Sequence, residues 1–179
     1  MELKIGTVIG ENIEDTQEIL TTNNPEVGNQ VKEYVQDMIE KTILLNKVHE
    51  DLDYWKERLG LQAWEIKVQI IPSAKMNTKS SLGEIWYQHL MKRAVIFLVN
   101  PDEVSDFYGF TLDYEHTLLH ELLHLLLNYS DFDTETEEDI IEEAINTIAT
   151  TLVKLRKEIN ELTEAKDKKE DEENVEGTS

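Results

Sequence analysis

His116–Leu127 reads HTLLHELLHLLL. Seven of these twelve residues are leucine, which predicts a helix buried on most of its sides. His116, His120, Glu121 and His124 stand in that apolar body. Burying imidazoles and a carboxylate without partners costs several kcal/mol, so such residues need something to bind. His120, Glu121 and His124 spell HExxH. Side chains four apart on a helix share a face one turn apart, so the two imidazoles can reach one ion at about 2.0–2.1 Å each. Glu121 points to the side of that pair, placed to take a proton from a metal-activated water. A single buried histidine is more often a hydrogen-bonded core residue than a ligand. Three fixed positions among five histidines favour a divalent metal, and zinc first. His116 and His124 are separated by about 12 Å of helix rise, so one ion cannot join them. His116 is expected to support the site, line the cleft or face solvent.

Catalytic zinc takes three protein ligands and keeps one position open. The residues after His124, LLLNYSDFD, contain no further histidine, so the third ligand is expected to be a carboxylate from the next helix, about 137–162. Glu137, Glu138, Asp139, Glu142 and Glu143 compete for the role. The apolar face of that helix is Ile141, Ala144, Ile145, Ile148, Leu152 and Leu155. Glu143 falls on the opposite side, and Glu142 sits at the edge, where a side chain can lean over a packed neighbour. Glu142 is the expected ligand, with Glu138, of similar phase, and Glu143 as alternatives. Asn146, one turn beyond Glu142, is positioned to hold a ligand histidine by its other nitrogen.

Working back towards the N-terminus, the period changes. WEIKVQII (64–71) alternates as a half-buried strand would until Pro72 stops it. EIWYQHLM (84–91) and AVIFLV (94–99) read as two further strands, the second apolar throughout and so central. A helix from about Pro25 carries Val31, Tyr34, Val35, Met38, Ile39, Thr42 and Ile43 at helical spacing. A second, roughly 47–59, ends at Gly60. Asp113 suits the N-cap of the histidine helix. The order predicts an α+β fold: N-terminal helices, a sheet of about three strands of mixed direction packed on the HExxH helix, then a C-terminal ligand-bearing helix. Residues 1–24 are expected to be a strand and arm, 25–162 the domain, and 163–179 a disordered charged tail.

The formal charge is −21, from 38 acids and 17 bases. A surface of this sign repels phosphate, which disfavours nucleic acid and an anionic membrane as partners. Asp131–Glu143 holds eight acids and no base, a segment that would favour basic substrates. There is no cysteine, so any metal site uses His, Asp and Glu. Neither a leader peptide nor an apolar run of about 20 residues is visible, and a soluble cytoplasmic protein is expected.

HELLH followed, after 17 residues, by EEAIN resembles the gluzincin-type zinc metallopeptidases. The closer likeness is to the small metallopeptidases of phages and prophages and the related ImmA/IrrE-like regulator-cleaving peptidases. WEIKVQII, AVIFLVNP and the ExxxNxIA pattern in EEAINTIA support it, over roughly 60–155. The resemblance implies a zincin-like fold and zinc-dependent endopeptidase activity on a protein or peptide substrate. His120, His124 and Glu142 would be the metal ligands and Glu121 the general base. Aligned with larger gluzincins, Glu143 takes the ligand position instead. Tyr114, His116, Tyr129 and His89 are candidate oxyanion donors, and 84–90 a candidate substrate-binding edge strand. The rival expectation is a metal-binding, non-enzymatic interaction or regulatory protein, phage-encoded, on the same scaffold.

Overall fold

The computed structural model describes residues 25–77, 81–104, 112–127 and 135–176, with the side chains of 25–28, 135, 136, 138 and 169–176 left aside. Its elements are α1 (Pro25–Arg58), β1 (Glu65–Ile71), β2 (Gly83–Gln88), β3 (Arg93–Val99), α2 (Tyr114–Leu127) and α3 (Glu135–Glu176). The class is α+β. The chain divides into two units between Lys47 and Val48, and the histidine helix lies in the second. The expected N-terminal strand and arm, 1–24, lie outside the described residues.

Within the first unit, α1 presents Tyr34, Val35, Met38, Ile39 and Ile43 as exposed side chains. The expected apolar face exists but is not buried. Lys41 and Asp37 form an exposed i,i+4 ion pair at 2.8 Å, and Thr42 Oγ1 donates to Met38 O. The two helices expected over 25–59 are one. No glycine or proline interrupts the chain between Gly28 and Gly60, so nothing ends the first helix near position 46. The stop at Gly60 is as read. Leu61 N–H donates to Lys56 O (2.8 Å) and Gly60 N–H to Glu57 O (3.3 Å), with Gly60 at φ +69°. This is the paired-bond C-cap that favours glycine.

In the second unit the sheet order is β1-β3-β2. β3, the wholly apolar strand, lies in the middle, parallel to β1 and antiparallel to β2. Ala94, Ile96 and Leu98 of β3 are buried; Tyr87, Ile85 and Gly83 are their partners on β2. That face packs on α2. The expected strand 84–91 is shorter, because His89–Met91 make a 3-10 turn and Lys92 takes φ 48°. The reversal lets β2 fold back onto β3.

The last turns of α1 belong to this unit and bury Val48, Leu52 and Trp55. Arg156 of α3 fastens them: its Nη1 donates to Asp51 Oδ1 and to Glu115 Oε1, each at 2.6 Å. Trp55 Nε1 also donates to Glu115. Ile145, Ala149 and Val153 form the buried stripe of α3. The helix continues to Glu176, past Leu162, so the disordered tail expected from 163 does not hold for 163–176. Charge was read there as a solvating feature. Glu, Lys and Ala are also good helix formers, and no glycine occurs after Gly109 until Gly177.

Candidate metal centre

α2 starts where Asp113 caps it, its Oδ1 accepting from His116 N–H (3.1 Å) and its carbonyl from Thr117 N–H (3.0 Å). Leu118, Leu119, Leu122, Leu123 and Leu125 are buried. The helix then presents two polar stripes. One bears the histidines and faces α3, running in the opposite direction. His116 Nε2 lies 3.1 Å from Thr150 Oγ1 and His120 Nδ1 lies 3.0 Å from Asn146 Oδ1. His120 and His124 both meet Glu142. The fourfold spacing of 116, 120, 124 against 142, 146, 150 is what aligns them. The other stripe, Thr117 and Glu121, faces Gly83 of β2.

One nitrogen from each of His120 and His124 and one oxygen of Glu142 lie within 4.8 Å of one another, a group able to hold a metal ion. His120 Nε2 is 3.3 Å from Glu142 Oε2 and His124 Nε2 is 3.4 Å from Glu142 Oε1. Ligand atoms around a tetrahedral ion stand about 3.3–3.4 Å apart, so the carboxylate already has the spacing that zinc needs. The two Nε2 atoms, at 2.8 Å, have to separate by about half an ångström to admit it. His120 Nδ1–H donates to the Asn146 oxygen, which fixes the tautomer whose Nε2 lone pair is free for a metal. The residues present fit the group.

Burial is the largest influence on each titrating side chain. It lowers His120, with Glu142 pulling the other way. It lowers His124 to about 4, helped by His120. Both rings are therefore neutral near pH 7, the state a ligand requires. Glu121, only 5% exposed, is raised to about 8 by burial and then by the charges of Glu142 and Glu84.

The structure brings His120, Glu121, His124 and Glu142 together. Glu143 is exposed and lines a groove with Asn146, Thr147 and Thr150; the carboxylate grouped with His120 and His124 is that of Glu142. Glu137 and Asp139 are exposed too, and the Glu138 side chain is outside those described. Among the oxyanion candidates, Tyr129 is outside the described residues. Tyr114 Oη donates to Val99 O (2.7 Å), and the His89 ring meets Trp64 in a tilted contact with centroids 5.3 Å apart. Tyr87 was missed in the sequence. It lines a cleft of about 350 Å³ with Asn77, Glu84, Trp86, Glu121 and His124.

No known protein family, curated protein or solved structure matches this chain. Among the described residues, no helix is long and apolar enough to cross a membrane.

Proposed function

We propose that this chain is a zinc-dependent endopeptidase with a zincin-like catalytic domain, resembling the small gluzincins of phages. The observation that carries the reading is the carboxylate of Glu142 set 3.3–3.4 Å from both imidazoles, while Glu121 lines a cleft together with His124. A purely structural site has no use for that second, buried carboxylate. The set of two histidines and one glutamate suits zinc with a position left open.

His120, His124 and Glu142 would hold the ion, with Asn146 orienting His120. When bound, a dication would supply Lewis acidity to the carbonyl and the water, and Glu121 beside that charge would be ionised. Glu121 then takes a proton from the attacking water at a carboxylate oxygen and hands it to the leaving peptide nitrogen. Tyr87 lines the cleft, and its hydroxyl would serve as a donor to the developing oxyanion. Among the described residues β2 is an edge strand, and its residues 84–87 line the cleft. A substrate can add there as one more strand, its carbonyl directed to the open position. The acidic surface favours basic protein or peptide substrates over nucleic acid.

Metal analysis with a peptide-cleavage assay tests this. Wild type should retain one zinc per chain and cleave. Glu142→Ala should lose the metal. Glu121→Gln should keep the metal and lose about 10²–10⁴ in turnover, the usual share of a general base. Full activity in Glu121→Gln would instead support a metal-binding protein without catalysis.

A further inference from the structure

The cleft beside the metal centre has a chemical character of its own. Glu84 and Trp86 are two apart on β2 and share a face of the strand. Their partners on β3 are Phe97 and Val95. Phe97 meets the Trp86 ring edge to face at 5.5 Å, which braces the indole while leaving it 57% exposed. Glu84 lines the same cleft as Glu121 and His124. Asn77 and Tyr87 complete the polar lining.

We propose that Glu84 and Trp86 form the substrate-selecting subsite of this cleft, and that it takes a cationic group of the peptide next to the bond to be cut. The inference rests on the peptidase reading and gives its substrate class. A carboxylate supplies a charge-assisted acceptor for an ammonium or guanidinium. A braced, open indole offers its face to the same cation or to the methylenes that carry it. A neutral side chain of equal size gains only the second of these. The cation has two possible sources, a lysine or arginine side chain or the free amino terminus of the substrate, and the lining suits both.

The test uses the full-chain Glu121→Gln protein with zinc, so that peptides bind without turnover. Four peptides of one sequence carry lysine or norleucine at the variable position, each with a free or an acetylated amino terminus. Binding is followed by tryptophan fluorescence and by isotope-edited NMR. A cationic peptide should bind about tenfold tighter than its neutral counterpart. A preference that follows lysine identifies the side chain, and one abolished by acetylation identifies the terminus. Adding Glu84→Gln should remove the preference, and Trp86→Ala should weaken binding of all four peptides, with unchanged thermal melting as the check on folding. Equal binding of charged and neutral peptides, a preference that survives Glu84→Gln, or no binding at millimolar peptide overturns the proposal. Wild-type cleavage separates the two levels. Equal cleavage of lysine and norleucine peptides defeats the subsite and leaves the peptidase standing. Cation-selective binding without any cleavage does the reverse.

Discussion

A methyl group at position 83 would lie 2.7 Å from Thr117 Cγ2 and 2.8 Å from Glu121 Oε1. The glycine is therefore the space that the Glu121 carboxylate uses, and strand and helix approach through it. Gly83→Ala should cost about 1–3 kcal/mol of stability, as overpacking does. It should also depress peptide cleavage with zinc content unchanged, since the two proposed histidine ligands are on the other stripe of α2 and Glu142 is on α3. Wild-type turnover in this variant would show that Glu121 tolerates displacement. The same carboxyl sets a pH dependence. Glu121 is raised from 4.5 to about 8, by burial first, so the folded metal-free chain holds that proton more tightly than the unfolded one. Its stabilising contribution is complete below about pH 4.5 and fades as pH climbs through 8. His124, lowered from 6.5 to about 4, works the other way, and its contribution is lost as pH falls from 6.5 through 4. Urea titrations of metal-free wild type and Glu121→Gln isolate the first effect. The variant should gain on wild type between pH 5 and 8, by on the order of a few kcal/mol. Parallel curves would mean that the carboxyl is better solvated than its surroundings imply.

The pairing of α2 with α3 is what turns separate side chains into a site. Asn146 is its least obvious part: it touches His120 on the nitrogen that faces away from Glu142. Asn146→Ala should weaken zinc binding about 10–100-fold, the usual cost of losing such a support, while Asn146→Asp, which keeps the acceptor, should restore much of it. Competition with a chromogenic chelator measures both. This scale also explains what could be read from the chain. HExxH and the phase of Glu142 are local, helix-periodic facts, so the group able to hold a metal ion, and Glu121 beside it, were legible in the chain. β1 and β3 were legible because alternation and an unbroken apolar run carry their own period. Gly83 and Tyr87 reach the site through strand–helix packing across 34 or more positions, which no local period records. The one available signal was a glycine at the start of a strand pattern, which marks close backbone approach. The helix boundary expected near position 46 had no cap or breaker behind it, only a change in apolar pattern, and the single helix α1 follows.

Across the whole molecule, order and burial separate along α3. Arg156 ties the helix to Asp51 and Glu115, and Val153 is the last residue of its buried stripe. From Lys157 to Lys168 every described side chain is exposed. Helix there depends on intrinsic preference and on pairs such as Lys154–Glu158 at 3.8 Å, each contributing only a few tenths of a kcal/mol. The charge pattern that suggested disorder is thus the pattern of a solvated helix, since both avoid apolar residues and only the choice of residues within the polar set distinguishes them. Ending the chain after Leu162 decides between the two. The cut removes seven acids and three bases, which leaves a formal charge of −17. It touches neither the ligands nor the Arg156 contacts. Zinc content should stay at one per chain, and the unfolding free energy should move by less than about 0.5 kcal/mol, as for surface changes. Far-ultraviolet circular dichroism should nevertheless lose helical signal, because 163–176 belongs to α3. An unchanged signal would mean that these residues are not helical in solution. A fall in stability or in zinc retention would mean that the extension supports the centre through contacts made by its exposed face.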